Sequence, residues 1–342
     1  MKTSKNQSDK VDIIAVAKAA AVSPSTVSRT FNHPDLVKPS TRKKIEGAVK
    51  KLGYIRNRAA QAMHGKRSGT IGLIVPTVNN TIFAELIQSF SDAVDAAGFT
   101  LLMASHGYDL DREYAVLRKF LEHRVDGVAL IGLTHADETL GLVTQQQVPM
   151  LTLWNYGAET DVSCIGASNH DAGAMAAQHL LAQGHRKIGL VFPPLHGNDR
   201  AGDRQAGALQ ALTQAGCAPR EDWVFQAPYS LAHAKRVCID VLAQTDRPTA
   251  LLCSNDVIAQ GAIYAAHVAG LNVPQDLSVI GIGDFRGSAE MEPALTTIRL
   301  PADEIGTRAG HHLAALISGD LDGPIRDKCD VALMLRATTH PV

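Results

Sequence analysis

Basic side chains are concentrated in the first fifth of the chain, where their charge could neutralise a polyanion. Residues 1–67 contain 15 Lys and Arg against 4 Asp and Glu, a net charge of +11. The rest of the chain contains 18 basic and 30 acidic residues, so the two segments are expected to face different partners. Counterion release from phosphates would give the first segment affinity for nucleic acid. A basic segment that only faces solvent has the same composition, so charge alone leaves both interpretations open.

This basic segment has the residue pattern of three short helices. Residues 11–20 space their apolar side chains along one helix face. A second helix is predicted over 24–31, because Ser23 suits the N-cap position and Pro24 suits the first helical turn. Residues 41–52 carry an apolar stripe that could close a three-helix core. Two short helices joined by a tight turn predict an all-α helix-turn-helix headpiece.

From residue 70 onward, strand-like apolar runs alternate with helical stretches. The runs lie at 70–75, 99–104, 127–131, 149–153, 187–192, 223–226, 250–253 and 277–282, with amphipathic helices between most of them. This order predicts an α/β fold with two doubly wound parallel-sheet lobes. Two facing lobes of this kind form a cleft suited to a small molecule.

Several other protein classes conflict with the sequence. No apolar run reaches 18 residues and the first ten residues are polar, so we expect no membrane span, no signal peptide and a cytoplasmic location. The five cysteines lack C-x-x-C spacing, which argues against a disulfide framework and a metal site. The glycines of 281–287 have the spacing G-x-G-x-x-x-G, which does not match a dinucleotide loop. We therefore predict no cofactor, no catalytic residue and no enzymatic activity.

Ordered motifs over some 330 residues match one known family. The second predicted helix lies in V-S-P-S-T-V-S-R-T-F-N, and the third ends in L-G-Y-I-R-N. Further matches lie at 70–76, 83–85, 124–127, 184–188, 204–207, 254–256, 261–262, 274–281 and 293–298. With these motifs the chain resembles the lactose-repressor (LacI/GalR) family of bacterial transcription regulators. The resemblance implies a repressor that binds a palindromic operator in double-stranded DNA as a homodimer and responds to a small-molecule effector.

The resemblance also implies a division of the chain into three parts. They are a headpiece over 1–57, a hinge helix and linker over 58–68, and an effector-binding and dimerisation domain of periplasmic-binding-protein type over 69–342. Within this domain we expect an N-lobe of about 69–166 and 297–323, and a C-lobe of about 167–296 and 324–342. No heptad-repeat tail follows, which favours a dimer over a tetramer.

DNA-contacting residues follow from the family's pattern. The positions that correspond to DNA contacts are Pro24, Ser25, Thr26, Ser28, Arg29, Asn32, Tyr54, Asn57 and Met63. Arg29 could donate two hydrogen bonds to a guanine edge in the major groove, and Met63 stands where the family has a leucine that wedges into the minor groove. For Thr26, Ser28 and Asn32 the alternative is local helix capping.

The turn between the first two helices departs from the family. Where the family usually has glycine, this chain has Ala21. If the backbone at this position has positive φ, alanine costs about 1 kcal/mol relative to glycine.

The family resemblance also assigns effector contacts to particular positions of this sequence. The resemblance places Ile82, Phe83, Asn155, Asn198, Arg200, Arg204, Tyr229, Asp256 and Asp284 around the cleft. Two arginines near one ligand suit a carboxylate or phosphate. The alternative is that Arg204 pairs with one of the two aspartates across the lobes. The family often has an acid two residues after the strand-ending glycine, but here that position is Gly283 and the acid is Asp284.

Two further stretches indicate a class of ligand, and one alternative function remains to be weighed. Residues 106–108 and 164–166, with Asn169, are similar to the gluconate-responsive branch of the family, which implies a sugar acid or sugar. The alternative function is a carbohydrate-binding protein of the same two-lobed fold that does not bind DNA. The basic headpiece and the missing export signal disfavour it.

Overall fold

The computed structural model describes residues 11–56 and 67–342. The chain divides into two compact units, Met1–Ser68 and Gly69–Val342. The predicted hinge helix and the predicted DNA contacts Asn57 and Met63 fall at 57–66, which lies outside the described residues. Within the described ranges, no helix is both long enough and apolar enough to cross a membrane.

Three helices form the first unit around a small apolar core. They are α1 (Ile13–Ala20), α2 (Pro24–Asn32) and α3 (Pro39–Leu52). The backbone N–H of Ala15 donates to Asp12 Oδ1 at 2.8 Å, and the N–H of Thr26 donates to Ser23 Oγ at 3.2 Å, so both short helices begin at capped ends. The core residues are Val16, Ala17, Ala20, Val27, Ile45 and Ala48.

The turn between α1 and α2 has the backbone conformation that glycine favours. Ala21 has φ 53° and ψ 48°, in the left-handed region. Its neighbour Val22 donates its backbone N–H to the Ala17 carbonyl at 3.0 Å, which satisfies one of the open carbonyls at the end of α1. The hydrogen-bonded turn thus holds an alanine where its Cβ is unfavourable.

Two six-stranded sheets form the core of the second unit. The strands are β1 Thr70–Val75, β2 Thr100–Ser105, β3 Gly127–Ile131, β4 Met150–Asn155, β5 Cys164–Ala167, β6 Ile188–Phe192, β7 Val224–Gln226, β8 Ala250–Cys253, β9 Ser278–Gly283, β10 Thr296–Arg299, β11 Arg326–Cys329 and β12 Ala332–Met334. The first sheet has strand order β11-β5-β4-β3-β1-β2 and is parallel throughout. The second sheet has strand order β12-β10-β9-β8-β6-β7 and is parallel except for the β10–β12 pair.

Helices cover both sheets and complete two lobes. The helices are α4 Thr81–Ala96, α5 Leu110–Glu122, α6 Asp137–Gln146, α7 Asn169–Ala182, α8 Asp199–Gln214, α9 Leu231–Leu242, α10 Asp256–Val268 and α11 Ala302–Ser318. The N-lobe contains the first sheet with α4, α5, α6 and α11, and the C-lobe contains the second sheet with α7, α8, α9 and α10. The central strands are apolar and buried along their length, as parallel strands covered on both faces require.

The expected lobe boundaries near the end of the chain were wrong by one strand each. The expected boundary between residues 296 and 297 falls inside β10. Because Thr296 pairs with Ile280 of β9, the whole strand belongs to the C-lobe. β11 was assigned to the C-lobe, but Arg326 pairs with Cys164 of β5, so the strand lies at the edge of the N-lobe sheet. Backbone pairing with a distant strand decides membership here, and local residue pattern does not reveal it.

Candidate functional site

One face of α2 presents polar side chains to solvent. Pro24, Ser25 and Arg29 are exposed, whereas Val27 and Thr30 on the other side are buried. At about 100° per residue, these exposed positions and the half-buried Ser28 and Asn32 fall within about 140° of the helix circumference. The Arg29 guanidinium has no hydrogen bond to any described residue. The Arg29 side chain can therefore enter a groove without losing an internal hydrogen bond.

The half-buried polar residues of α2 also make local hydrogen bonds. Asn32 Nδ2 lies 3.2 Å from Ser28 Oγ, and Thr26 Oγ1 lies 2.8 Å from Ser23 Oγ. These bonds are the local contacts that the capping alternative predicts. Each hydroxyl keeps a free lone pair or proton, so the bonds leave room for a further partner.

Residues beyond α3 join it to α2. The Tyr54 ring lies 6.2 Å from that of Phe31 on α2. The Arg56 guanidinium lies 5.5 Å from the same Phe31 ring and donates to Asn32 Oδ1. Tyr54 is half-buried and packs on the headpiece core, so it holds the end of α3 against α2.

Two connected cavities lie between the lobes of the second unit. The inner chamber has a volume of about 20 Å³, and the outer chamber has about 360 Å³. Four residues line both chambers: Asn80, Tyr108, Asn198 and Tyr229. The inner chamber is lined by Asn80, Ile82, Phe83, Tyr108, Trp154 from the N-lobe and Asn198, Arg200, Arg204, Tyr229, Asn255, Phe285 from the C-lobe.

Arg204 is held at this chamber by neutral groups. Its Nε donates to Asn169 Oδ1 at 2.7 Å, and its Nη1 donates to the Ser254 carbonyl at 2.9 Å. A Cβ at Gly173 would lie 1.9 Å from the Arg204 carbonyl oxygen, so only glycine allows α7 to approach α8 this closely. The expected alternative of an ion pair between Arg204 and an aspartate is wrong. Burial lowers the pKa of Arg204, because its charge is removed from water.

Arg200 lies beside Arg204 but has a charged partner. Its Nη1 donates to Asp199 Oδ1 at 2.7 Å and to the Ile131 carbonyl at 3.1 Å. Burial acts to raise the pKa of Asp199, but the charge of Arg200 and a hydrogen bond from the Leu133 N–H outweigh it and lower that pKa. Arg200 Nη2 is buried without a hydrogen-bond partner among the described residues. One donor of this guanidinium is therefore available to the chamber.

Neutral polar groups and aromatic rings complete the lining. Asn80 Oδ1 and Asn255 Nδ2 are buried and lack a partner within the described part of the chain. The rings of Tyr108 and Tyr229 face each other across the lobes with centroids 6.1 Å apart. Of the described residues, none that lines the inner chamber carries a carboxylate. Because Arg200 is paired with Asp199, the positive charge left without a bonded carboxylate at the chamber is that of Arg204.

Six of the nine predicted effector residues line the inner chamber, and three do not. Asp256 accepts hydrogen bonds from Ser288, Thr297 and the Phe285 N–H, which use both of its oxygens. Asp284 pairs with Arg299 at 2.7 Å and Arg336 at 2.6 Å. Asn155 donates to Asp203 Oδ2 at 2.7 Å. The structure therefore places these three side chains in hydrogen bonds and ion pairs outside the lining of the inner chamber, and their contact with an effector stays a prediction.

Five lining residues were missed by the sequence reasoning. They are Asn80, Tyr108, Trp154, Asn255 and Phe285. Each lies at the carboxyl end of a strand or in the loop that follows it, namely β1, β2, β4, β8 and β9. Ligands of open α/β sheets bind at this edge, so the rule could have found them.

The sequence and the architecture both match known proteins. A model for bacterial regulatory proteins of the lacI family matches residues 12–57, and one for a periplasmic binding protein-like domain matches residues 177–339. The transcriptional repressor PurR of Klebsiella pneumoniae is 33% identical over 296 residues, which cover 86% of each chain. The chain belongs to the LacI/GalR family. The predicted family and fold class are thereby confirmed, whereas the gluconate-responsive branch stays a prediction.

Solved structures of LacI/GalR proteins agree with this assignment. The lac repressor dimer bound to operator and the anti-inducer ONPF has a TM-score of 0.85 at 28% identity, over 97% of this chain and all of that one. The transcription regulator GntR from Chromobacterium violaceum has a TM-score of 0.73 at 32% identity, over 79% of this chain and 99% of that one. The chain is a DNA-binding transcriptional repressor with an effector-binding domain. Its relatives are regulators rather than enzymes.

Proposed function

We propose that the chain binds a palindromic operator as a homodimer and that a small carboxylate ligand, of the sugar-acid class to which gluconate belongs, controls this binding. The observation that carries the proposal is the pair Arg200 and Arg204 at a chamber whose lining contains no carboxylate among the described residues. The headpiece 1–57 would contact DNA, 58–68 would form the hinge, and 69–342 would bind the effector and the second subunit.

A carboxylate matches the charge of the inner chamber better than a neutral ligand does. Arg200 is partly neutralised by Asp199, but Arg204 is held only by an amide and a carbonyl oxygen. An incoming anion would therefore compensate a buried charge, and charge-assisted hydrogen bonds contribute about 1.5–3 kcal/mol each. A neutral sugar would leave that charge without a counter-ion.

The other lining groups suit the carbon chain and hydroxyls of a sugar acid. Asn80 Oδ1 can accept a hydrogen bond and Asn255 Nδ2 can donate one, and neither has another partner in the described residues. Phe83 and Trp154 pack edge to face with centroids 5.7 Å apart and present apolar surface. Polar groups that fix orientation among aromatic walls are typical of small-molecule sites.

The size of the chamber ties ligand binding to movement of the lobes. A volume of about 20 Å³ admits about one water molecule and not a six-carbon acid. Tyr108 from the N-lobe and Tyr229 from the C-lobe meet where the two chambers join, so they must separate for a ligand to enter. Occupancy would then change the relation between the lobes, as an allosteric repressor requires.

On the DNA side, the exposed face of α2 supports binding in the major groove. Arg29 would donate to a guanine edge, with Pro24 and Ser25 beside it. Phosphates would be contacted by Thr26, Ser28 and Asn32. Met63 would insert into the minor groove. The similar lac repressor is a dimer bound to operator, which supports a dimer here.

The effector proposal is tested by titrating D-gluconate and D-glucose separately into the purified protein in a calorimeter. Both ligands have six carbons and several hydroxyls, but gluconate is an open chain with a carboxylate, whereas glucose is a neutral ring. We expect gluconate to bind at least 10-fold more tightly. Equal binding of both, or binding of glucose alone, would contradict an anion site.

The operator proposal is tested by selection from random duplexes at about 0.15 M salt, because affinity for DNA depends strongly on salt. Selection is run with and without gluconate. We expect enrichment of a two-fold symmetric sequence in one of these conditions. Enrichment of no symmetric sequence in either condition would contradict a dimeric repressor.

A further inference from the structure

The outer chamber of the effector domain is large enough to hold a ligand group by itself. Its volume is about 360 Å³, against about 20 Å³ for the inner chamber. Pockets that bury small ligands commonly measure about 300–1,000 Å³. The proposed carboxylate accounts for the inner chamber only. The outer chamber therefore has room for a group that the carboxylate does not explain.

Three prolines give the outer chamber rigid apolar walls. Pro193 and Pro194 directly follow β6, and Pro228 lies in the loop after β7. A proline has no N–H to donate and a fixed φ, so these walls offer apolar surface that needs little ordering when a ligand binds. Among the described residues, the lining includes no Asp, Glu, Lys or Arg. The outer chamber therefore suits an uncharged group, in contrast to the chamber beside Arg204.

Three polar side chains lie among these apolar walls. Thr77 and Asn79 come from the N-lobe loop between β1 and α4, and His196 comes from the C-lobe loop between β6 and α8. Thr77 Oγ1 accepts the Asn79 backbone N–H at 3.1 Å, which leaves the hydroxyl proton able to donate. Hydroxyl, amide and imidazole groups all form hydrogen bonds with ligand hydroxyls. A sugar ring, with apolar faces and a rim of hydroxyls, matches this lining, whereas a plain aromatic ring would use the prolines alone.

The two chambers meet at four shared residues, so one ligand can extend through both. Asn80 and Tyr108 come from the N-lobe, and Asn198 and Tyr229 come from the C-lobe. Asn198 Nδ2 donates to Tyr229 Oη at 3.3 Å. Asn80 Oδ1 is buried and has no partner among the residues that the structure describes. This oxygen can accept a hydrogen bond from the part of a ligand that passes from one chamber to the other.

The backbone holds the Tyr108 ring at this junction. Tyr108 has φ 64°, in the left-handed region that residues other than glycine rarely adopt. A Cβ at Gly197 would lie 2.5 Å from the Tyr108 carbonyl oxygen, so the loop after β2 packs directly against the loop after β6. Uncommon backbone conformations of this kind are concentrated at ligand sites. The ring that separates the two chambers is therefore fixed in place while the lobes are closed.

We propose that the outer chamber is a second effector subsite, which takes a neutral sugar ring, and that the effector is a disaccharide acid. Its sugar-acid end lies at Arg204, and the ring joined to that end by a glycosidic bond packs on the prolines. The ring subsite already has its volume in the closed domain, so only the acid end requires the lobes to open. This inference rests on the proposed function, because it takes the inner chamber as the anion site.

The first test is calorimetric titration of the purified full-length protein with five ligands. Gluconate supplies the acid alone. Maltobionate and cellobionate carry a glucose ring on the same acid through an α- and a β-linkage, and maltose and cellobiose are the corresponding neutral disaccharides. We expect at least one disaccharide acid to bind about 10-fold or more tightly than both gluconate and its own neutral disaccharide, because it adds hydrogen bonds and buried apolar surface to the anion contact.

The order of affinities separates this inference from the proposed function. Gluconate binding with no gain for either disaccharide acid would overturn the ring subsite and leave the anion site intact. A neutral disaccharide that binds as tightly as its acid would overturn the anion site and leave the ring subsite intact. Absence of binding by all five ligands would overturn both.

A pair of substitutions in one loop tests where the ring lies. Asn79 and Val78 are neighbouring exposed residues, and of the two Asn79 lines the outer chamber. Asn79→Trp fills part of this chamber, whereas Val78→Trp adds the same side chain outside its lining. We expect N79W to reduce the ratio of disaccharide-acid affinity to gluconate affinity to less than about threefold, and V78W to keep the ratio of the parent. An equal ratio in the parent and N79W would overturn the placement of the ring.

Discussion

Arginine is used in opposite ways in the two units of this repressor. Arg29 extends from a nine-residue helix into solvent, and no described residue holds its guanidinium. Arg204 is 5% exposed and is fixed by Asn169 and by the Ser254 carbonyl. The headpiece thus presents an exposed charge to a partner of very high charge density. The effector domain holds a rigid charge for a small partner.

This difference predicts how each site responds to conditions. Contacts of an exposed cation with DNA are weakened by salt, because binding releases counterions. A charge in a closed chamber is screened much less, and its orientation is set before the ligand arrives. Salt should therefore separate the two binding events, with a steep dependence for operator and a weak one for effector.

The largest expected effect is the loss of gluconate affinity when the buried Arg204 is replaced. Arg204→Met removes the charge but keeps much of the side-chain volume, and it leaves Asn169 Oδ1 without its donor. We expect gluconate affinity to fall about 100-fold, equivalent to about 3 kcal/mol, measured by calorimetry. The matched control is Arg299→Met, which removes a half-exposed arginine paired with Asp284 away from the chamber. Equal losses in both variants would show a general effect of lost charge.

Removing the exposed Arg29 is expected to have a smaller effect, on the preference for operator over unrelated DNA. Arg29→Ala should reduce the preference for operator over unrelated DNA by about 1–3 kcal/mol, because a bidentate contact with guanine distinguishes bases. Competition binding with the selected operator and a scrambled duplex measures this preference. Arg42→Ala, a half-exposed residue of α3 near Glu46, serves as the control. A uniform loss on both duplexes would make Arg29 a phosphate contact.

The stability of the headpiece can be raised at one residue. Ala21→Gly relieves the left-handed backbone at φ 53° and should stabilise the headpiece by about 1 kcal/mol. Urea unfolding followed by a headpiece-specific probe measures the change. Ala19→Gly inside α1 is the matched control and should destabilise by about 1 kcal/mol. An unchanged or lower midpoint for A21G would show that the turn is not strained.

The smallest expected effect is an acid sensitivity confined to the effector domain. Burial lowers the pKa values of His106, His179 and His185, so the folded state favours their neutral forms. Their contribution to stability is complete above the unfolded pKa of about 6.5 and is lost as the pH falls below it. The melting temperature should therefore decline from pH 6.5 to pH 5.

Two histidine substitutions, one buried and one exposed, test which group causes the loss of stability at low pH. His185 contacts Thr249 Oγ1 at 2.9 Å and Ser278 Oγ at 3.0 Å, whereas His267 is exposed. His185→Gln should flatten the decline below pH 6.5, and His267→Gln should leave it unchanged. An equal decline in all three proteins would assign the effect to other groups.

The sequence predicted the elements well because their patterns are local. β1 and β3 begin and end at the predicted residues, and α2 begins at the predicted Pro24. Ser23 and Pro24 specify the start of a helix without help from the rest of the chain. The family resemblance then placed Arg200 and Arg204 at one chamber, which the structure shows.

The remaining features depend on distant partners that local pattern does not reveal. Asp256 and Asp284 have the residue type of ligand contacts, but hydroxyls and arginines from other strands saturate them. The edge position of β11 follows from its pairing with β5, about 160 residues earlier in the chain. The Glu113–His135 contact joins a helix to a turn and has no sequence pattern.

In the function proposed here, an anion in the chamber of Arg200 and Arg204 controls binding of the headpiece to operator. The most direct test is fluorescence anisotropy of a labelled, selected operator, titrated with the repressor at fixed salt with and without saturating gluconate. We expect gluconate to change operator affinity by about 5- to 150-fold in the parent and in R299M, but not in R204M. Binding of gluconate to the parent with no change in operator affinity would contradict the claim.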